Sequence, residues 1–450
     1  MKKKIILICS FVLLLTATFT GTFFLYVETV KNPKTIEITS EDIASFREST
    51  QDRYPVPLLS ELPYEDDFTE LDLSCGAAIL IDAETGAILY EKNADRVIPP
   101  ASMTKLVVMY VVFQEIATGA ISLDDIVPLP PESWAVNAPP ASSLMFLGEG
   151  QTVTLRELLL GLAVASGNDA AVAVAHYVSG SVDSFIERMN LEMKKLGLEK
   201  THFVEPSGYS ELNVTTPREF ATFARQYILR YPEALRDYHS QLSISYPQEK
   251  NLPSWQIGKE HPIYQQNTNK LLGLMEGCDG LKTGFIYESG YNLSLTVKRG
   301  DTRFISVTMQ GAGSGSAEGN DYRIKDSTTL MEWAFANYKT CYMEDISPIT
   351  VPVLGGNKNA VALVPLHNRP LTIPDIVTEG NPADTESSLT YRVSVPSYLW
   401  GGFKAGDTVG TLEYMVGNKV LESIPIVAYS TVEEKQGLKK IVDSLVVKFF

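Results

Sequence analysis

Apolar residues along this 450-residue chain change their spacing in a set order. Ala77–Asp82 and Ala87–Glu91 are apolar runs around Glu84-Thr85-Gly86, a strand–turn–strand signal. Helical spacing follows in Lys105–Ile116, Leu155–Ser166, Ala170–Val178 and Val182–Leu196. Strand spacing returns in Tyr291–Lys298 and Arg303–Gln310, on either side of Arg299-Gly300-Asp301, and a helix from about Arg323 to Tyr338 closes the region. Strands at both ends with helices between them predict an α+β fold, an antiparallel sheet flanked by helices and carrying a helical insert. Beyond Ile346 the helices stop. Ile349–Val353, Ala360–Val364, Ser388–Val395, Thr408–Met415 and Lys419–Val427 alternate with Gly, Pro and Asn turns, which predicts a small all-β domain over 346–432.

The two ends differ in kind from this body. Lys2, Lys3 and Lys4 precede an apolar stretch from Ile5 to Val27 with no clean A-x-A site after it. A cleaved export signal and a retained anchor over residues 1–30 both fit, and either sends the rest of the chain to the outer face of the membrane. Residues 31–72 are polar and contain proline without clear periodicity, the composition of a linker. At the other end, Leu438, Ile441, Val442, Leu445, Val446 and Phe449 form one helical stripe over 433–450, with Lys435, Lys439, Lys440 and Lys448 off it. Such a basic amphipathic helix suits a membrane interface, the alternative being a helix docked on the preceding domain.

Composition excludes more than it names. With 38 Lys+Arg against 54 Asp+Glu the net charge is −16, which argues against nucleic acid as a partner. Cys9, Cys75, Cys278 and Cys341 contain no CxxC pair, and His176, His202, His239, His261 and His367 contain no HExxH, so no metal site or cofactor is expected. Buried apolar cysteines are the expectation for the exported part.

Three short motifs in the α+β region carry chemistry. Ser102-Met103-Thr104-Lys105 opens an apolar helix. A lysine three residues after a serine lies one turn on along the same face, so its amine reaches the hydroxyl. Serine is a weak nucleophile until a base removes its proton, and lysine is a base only when burial or a nearby cation lowers its pKa. Ser166-Gly167-Asn168 supplies a hydroxyl to relay a proton and an amide to hold a substrate carbonyl. Lys282-Thr283-Gly284 supplies a second cation, a hydroxyl for a carboxylate, and a residue that allows close backbone approach. The ordered set Ser-x-x-Lys, Ser-x-Asn, Lys-Thr-Gly is specific where each motif alone is not.

Residues 73–345 resemble the D-alanyl-D-alanine carboxypeptidases, the low-molecular-mass penicillin-binding proteins. Besides the three motifs, Ala101–Leu106, Ser166–Ala171, Thr201-His202-Phe203, Asn267–Leu272 and Asp279–Phe285 look like blocks of that family. The resemblance implies a serine carboxypeptidase that removes the terminal D-Ala of peptidoglycan stem peptides through an acyl-serine and is inhibited by β-lactams. It implies Ser102 as nucleophile, Lys105 as general base, Ser166 and Asn168 as proton shuttle and peptide holder, and Lys282 and Thr283 at the terminal carboxylate. It further implies an oxyanion hole from the backbone of Ser102 and Phe285, with Arg323 as a second carboxylate ligand; the alternative for Arg323 is a surface arginine at a helix start. The family also commonly carries a β-rich C-terminal domain and a terminal membrane helix. Two departures bear on substrate preference: Glu205 stands where the family more often has Asn, and Ile286 follows Phe285 in place of threonine. A serine β-lactamase, with Glu205 or Glu211 activating the deacylating water, is the rival enzyme, and an exported scaffold or penicillin sensor the rival of another class.

Overall fold

The computed structural model describes residues 18–53, 57–64, 70–375, 378–379 and 388–450. Lys2–Lys4, Cys9 and the first part of the predicted apolar span lie outside the described residues. The chain divides into two compact units, one of Leu58–Cys341 with Thr372–Asp375, the other of Met1–Pro57, Tyr342–Leu371 and Ile376–Phe450.

The first unit is built on β1 (Ala77–Asp82) and β2 (Ala87–Lys92), with α1 (Thr104–Ala117), α2 (Leu155–Leu160), α3 (Asn168–Ser179), α4 (Val182–Lys195) and α5 (Pro217–Arg230) inserted before the sheet resumes. It resumes with β3 (Cys278–Ile286), β4 (Gly290–Arg299) and β5 (Thr302–Gly311), and α6 (Ser316–Asn337) follows. The spatial order is a short strand Ser60–Glu61, then β2, β1, β5, β4 and β3. All pairings are antiparallel except that of the short strand with β2. This is the α+β arrangement expected, with the sheet closed by strands from both ends of the region.

Every residue of β1 is buried because both its faces are covered. Its side chains alternate between two cores, as strand geometry requires. Ala77, Ile79 and Ile81 join the cluster under α1 and α5, whereas Ala78 and Leu80 join the one under α6 with Leu330, Met331 and Ala334. α1 is buried from Thr104 to Phe113, which is why its sequence is apolar all round. The expected helix from Leu155 to Ser166 is α-helical only to Leu160 and widens into a looser turn over Gly161–Ala165. Met145 packs there against Gly161, leaving no room for a Cβ, which would lie 2.2 Å from the sulfur. Ser166 then ends the turn in the left-handed region, at φ 59°.

The second unit contains a seven-stranded sheet. Its order is Thr378–Glu379, β8 (Ser388–Ser394), β9 (Thr408–Val416), β10 (Lys419–Ala428), β7 (Ala360–Pro365), β6 (Ile349–Leu354) and Leu399–Trp400. The terminal helix α7 (Leu438–Val446) is present. The stretch expected to be a linker contains a helix, Ser40–Thr50, whose Ile43 is buried against Val364 and Val427. Residues 18–31 are also helical, and their Val27 and Val30 are buried with Leu354 and Val446. Sparse apolar residues among charges showed no period, yet enough of them fall on one side to dock on the β domain. Among the described residues no helix is long and apolar enough to cross a membrane.

Candidate active site

Ser102 sits on a single tight turn, Ala101–Met103, at the head of α1. Ala101 is held at φ 51°, an uncommon conformation for a residue with a Cβ. Asn292 of β4 fixes the approach to this turn: its amide donates to the Pro99 carbonyl at 3.0 Å and its oxygen accepts from the Gln310 N–H at 3.0 Å. The Ser102 backbone is thereby tied to the sheet.

One turn along α1, Lys105 is completely buried. Its Nζ lies 3.0 Å from Ser102 Oγ, 2.8 Å from Asn168 Oδ1 and 2.5 Å from the Ser207 carbonyl. Burial pulls its pKa down to about 7. Of the two causes the sequence left open, burial is the one at work, and the nearby carboxylates of Glu205 and Asp169 push the other way. The effect of the paired lysines falls on Lys282, which is held well below its ordinary value by burial, then by Lys105 and Arg323.

A neutral amine has two N–H donors and one lone pair. The Asn168 amide oxygen and the Ser207 carbonyl are acceptors only, so they take the two N–H groups. The lone pair is left facing the Ser102 hydroxyl. This is the geometry of a base poised to take the serine proton.

β3 is the outer strand of its sheet and runs past the Ser102 turn. A Cβ on Gly284 would lie 2.4 Å from the Pro100 carbonyl and 3.2 Å from the Ser102 N–H nitrogen, so only glycine permits this approach. Lys282 is buried, with Nζ 3.4 Å from Thr268 Oγ1 and 3.2 Å from the Thr283 carbonyl. The Thr283 hydroxyl donates to Thr268 Oγ1 at 2.7 Å. Phe285 is partly exposed and stacks on Tyr291 with ring centroids 4.4 Å apart. Arg323 is buried rather than at the surface. Its guanidinium donates to the Gly284 and Asn292 carbonyls at 3.4 and 3.3 Å and to Asn320, and lies 5.2 Å from the Tyr291 ring centroid. Burial lowers its pKa to about 10.

Ser102, Lys105 and Asn168 are thus joined by direct contacts, and Lys282, Thr283, Gly284 and Arg323 gather on and behind β3. Ser166 is buried nearby in sequence to Asn168, but its hydroxyl makes no hydrogen bond among the described residues. Four participants were not singled out by the motifs. Thr268 sits between Lys282 and Thr283; a main-chain carbonyl such as that of Ser207 leaves no signature in the sequence. Asp169 accepts from the N–H groups of Met145, Phe146, Leu147 and Ala170, pinning the segment over α3. Glu205 is the fourth. Its carboxylate accepts from the Ser207, Gly208 and Ser210 N–H groups, the Ser207 hydroxyl and the Asn213 amide, so it is committed to its own loop rather than aimed at a water. Glu211 is exposed. His239 is buried and bonded to the Tyr227 hydroxyl at 2.9 Å. Cys75 and Cys341 are buried and Cys278 half-buried. No cluster fit for a metal occurs among the described residues.

Comparison with known proteins follows the same division. A family model described as D-alanyl-D-alanine carboxypeptidase matches residues 65–313, and one described as the C-terminal domain of penicillin-binding protein 5 matches residues 337–434. D-alanyl-D-alanine carboxypeptidase DacC of Escherichia coli K12 is 33% identical over 378 residues, covering 83% of this chain and 88% of that protein. DacF of Bacillus subtilis is 29% identical over 376 residues, with the same coverages. The crystal structure of penicillin-binding protein 5 from Haemophilus influenzae superposes with a TM-score of 0.68 at 30% identity, covering 82% of this chain and all of that one. Penicillin-binding protein D2 from Listeria monocytogenes, in its cefotaxime-bound form, matches with a TM-score of 0.50 at 31% identity over 60% of this chain and all of that one.

Proposed function

Since the chain belongs to the D-alanyl-D-alanine carboxypeptidases, serine hydrolases of the bacterial cell wall that bind penicillin, we propose that Ser102 is its acylated nucleophile and Lys105 the base that activates it. The observation that carries this is the Lys105 amine, dry and partly neutral near pH 7, with its two N–H groups engaged and Ser102 Oγ 3.0 Å away. Ser102 Oγ attacks the carbonyl between the two D-alanines while its proton passes to Lys105. The backbone N–H groups of Ser102 and Phe285 stabilise the oxyanion. The peptide C–N bond breaks, the proton goes to the leaving amine by way of Lys105 and Ser166, and D-alanine departs. Water then attacks the acyl-serine, and the oxygen of Ser102 recovers a proton.

Asn168 holds the peptide and Lys105 together. Lys282, Thr283 and Arg323 receive the terminal carboxylate; Lys282, depressed in pKa by burial and its cationic neighbours, regains its full charge against an anion. Gly284 lets the scissile bond lie between β3 and Ser102. A β-lactam presents the same acyl group and carboxylate and takes the same path as far as the acyl-enzyme. Ser102→Ala tests the assignment: it must lose both covalent labelling by fluorescent penicillin and release of D-alanine from a pentapeptide. Labelling of that variant would overturn it.

We further propose that the enzyme is exported and held at the outer face of the cytoplasmic membrane by both ends of its chain, with the N-terminal segment retained. Leu438, Ile441, Leu445 and Phe449 of the terminal stripe are exposed, as are Phe19, Phe24 and Leu25 of the N-terminal helix. The Phe449 ring meets Phe23 and Phe24 at 5.9 Å, so the two apolar faces adjoin. Tyr26 donates to the buried Asp443 at 2.6 Å, a bond that cleavage near residue 30 would abolish. Mass spectrometry of the protein from membrane fractions should find an N-terminus before Tyr26; one beyond residue 30 would refute retention.

A further inference from the structure

Glu205 takes no part in the chemistry above, yet the loop it organises touches both catalytic groups. Its carboxylate gathers the Ser207, Gly208 and Ser210 N–H groups at 2.7, 2.6 and 3.3 Å and the Ser207 hydroxyl at 2.5 Å. Asn213 locks the other side, accepting from the Val204 and Glu205 N–H groups at 2.8 and 3.3 Å. Its amide nitrogen donates to Glu205 Oε1 at 2.9 Å and to the hydroxyl of Thr104, the residue before Lys105, at 3.3 Å.

Two outputs leave this knot. The Ser207 carbonyl is turned onto Lys105 Nζ. Gly208, at φ +82°, lies flat on the Ala101–Ser102 peptide, where a Cβ would fall 1.9 Å from the Ala101 carbonyl oxygen. Without the Ser207 carbonyl one N–H of the neutral amine has no acceptor but the Ser102 oxygen, and nothing keeps the lone pair, rather than that N–H, on the serine. We propose that Glu205 is a positioning residue for acylation: by folding the 205–210 loop around its carboxylate it presents the Ser207 carbonyl that aims the Lys105 lone pair at Ser102.

The charged groups facing Lys105 are Glu205, Asp169 of α3 and Lys282 of β3. Both carboxylates favour the ammonium, so removing one moves deprotonation of Lys105 to lower pH. The carboxylate is already saturated by loop donors, which distinguishes this role from activation of the deacylating water.

The inference rests on Ser102 and Lys105 being nucleophile and base, and its test separates the two. The second-order rate constant for acylation by fluorescent penicillin is measured from pH 5 to 9, with the rate of acyl-enzyme hydrolysis and a thermal melt, for the full-length wild type, Glu205→Gln, Glu205→Asp and Ser207→Ala. Glu205→Gln removes the charge and puts an NH2 against N–H donors. Its plateau should fall by about tenfold or more, and its acidic limb should move down by roughly half a pH unit or more. Glu205→Asp should return the limb toward its wild-type place. Ser207→Ala, which keeps the carbonyl and loses the hydroxyl's two hydrogen bonds, to Glu205 and from the Tyr209 N–H, should lower the plateau by only about threefold with the limb unmoved; it carries the test of the loop if Glu205→Gln does not fold. An unchanged limb and plateau in Glu205→Gln, or slowed hydrolysis with normal acylation, overturns the proposal. In either case Ser102→Ala remains unlabelled, so the assignment of the nucleophile stands or falls separately.

Discussion

Replacing Gly284 by alanine adds one methyl group where β3 passes the Ser102 turn. The new Cβ would sit 2.4 Å from the Pro100 carbonyl oxygen, 3.2 Å from Ala101 Cβ and 3.2 Å from the Ser102 nitrogen. Ordinary contact begins near 3.4 Å, so β3 has to recede by about 1 Å, a displacement that costs on the order of 10²-fold when it falls on reacting groups. The Ser102 turn cannot give way instead, because Asn292 and Gly208 hold it from two sides. β3 can, because it is paired only with β4. Its retreat carries the Phe285 N–H away from the oxyanion, and losing one such donor costs about 10²–10³ in rate, or roughly 3–4 kcal/mol. Stability should fall by only about 1–3 kcal/mol, the usual cost of one methyl group too many. The assay is the second-order rate constant for acylation by fluorescent penicillin beside a thermal melt. A folded Gly284→Ala enzyme that acylates within threefold of wild type would refute the reasoning, for it would mean that strand and nucleophile are not in register as described.

Acylation by the wild type should rise with pH through about 7, because only deprotonated Lys105 accepts the serine proton and burial places its pKa there; a flat profile from pH 5 upward would remove Lys105 as the titrating base. Lys282→Ala should raise KM for a D-Ala-D-Ala peptide by about tenfold or more, from loss of a charged hydrogen bond, and leave cleavage of the C-terminal amide analogue unaffected. Equal damage to both peptides would dissociate Lys282 from the carboxylate. Asp169→Asn leaves one acceptor oxygen for four N–H groups and should destabilise the enzyme by about 2–4 kcal/mol, read as a lower melting temperature; an unshifted melt would count against the role given to it.

Much of this site was legible because its chemistry needs particular side chains at fixed offsets. Ser102 and Lys105 are one helical turn apart, and Lys282-Thr283-Gly284 offers a cation, a hydroxyl and a glycine that allows close approach, although the strand that carries them, β3, was not read from the sequence. What escaped was main chain and loop: the Ser207 carbonyl has no residue identity, and Glu205 resembles a candidate water-activating base until its five donors are counted. Arg323 illustrates the converse. Read as the start of a helix among Asn and Asp it has the look of a surface residue, but α6 begins at Ser316 and the packing of Tyr291 and the Gly284 and Asn292 carbonyls buries it. In the fold, strands β1, β4 and β5 were plain from apolar runs. α5 was not read from the sequence although it carries a start signal in Thr216, Pro217 and Glu219, with the Thr216 hydroxyl accepting from the Glu219 N–H, and a buried stripe of Pro217, Phe220, Ala221, Ala224, Tyr227 and Ile228. The helix Ser40–Thr50 was hidden for a physical reason: it buries little besides Ile43, which suffices when a ready-made sheet receives it.

The way the chain is shared between the units bears on how the molecule is made. Residues 18–57 leave the ribosome first, yet the surfaces that bury Val27, Val30 and Ile43 lie in Leu354, Val364, Val427 and Val446, which are synthesised last. The hydrolase unit between them is continuous from Leu58 to Cys341 apart from Thr372–Asp375 and can reach a near-native state while the early segment waits unsatisfied. A chain that stops after Asp375 would therefore carry the whole hydrolase unit joined to an apolar N-terminal segment that lacks Val427 and Val446 to bury it.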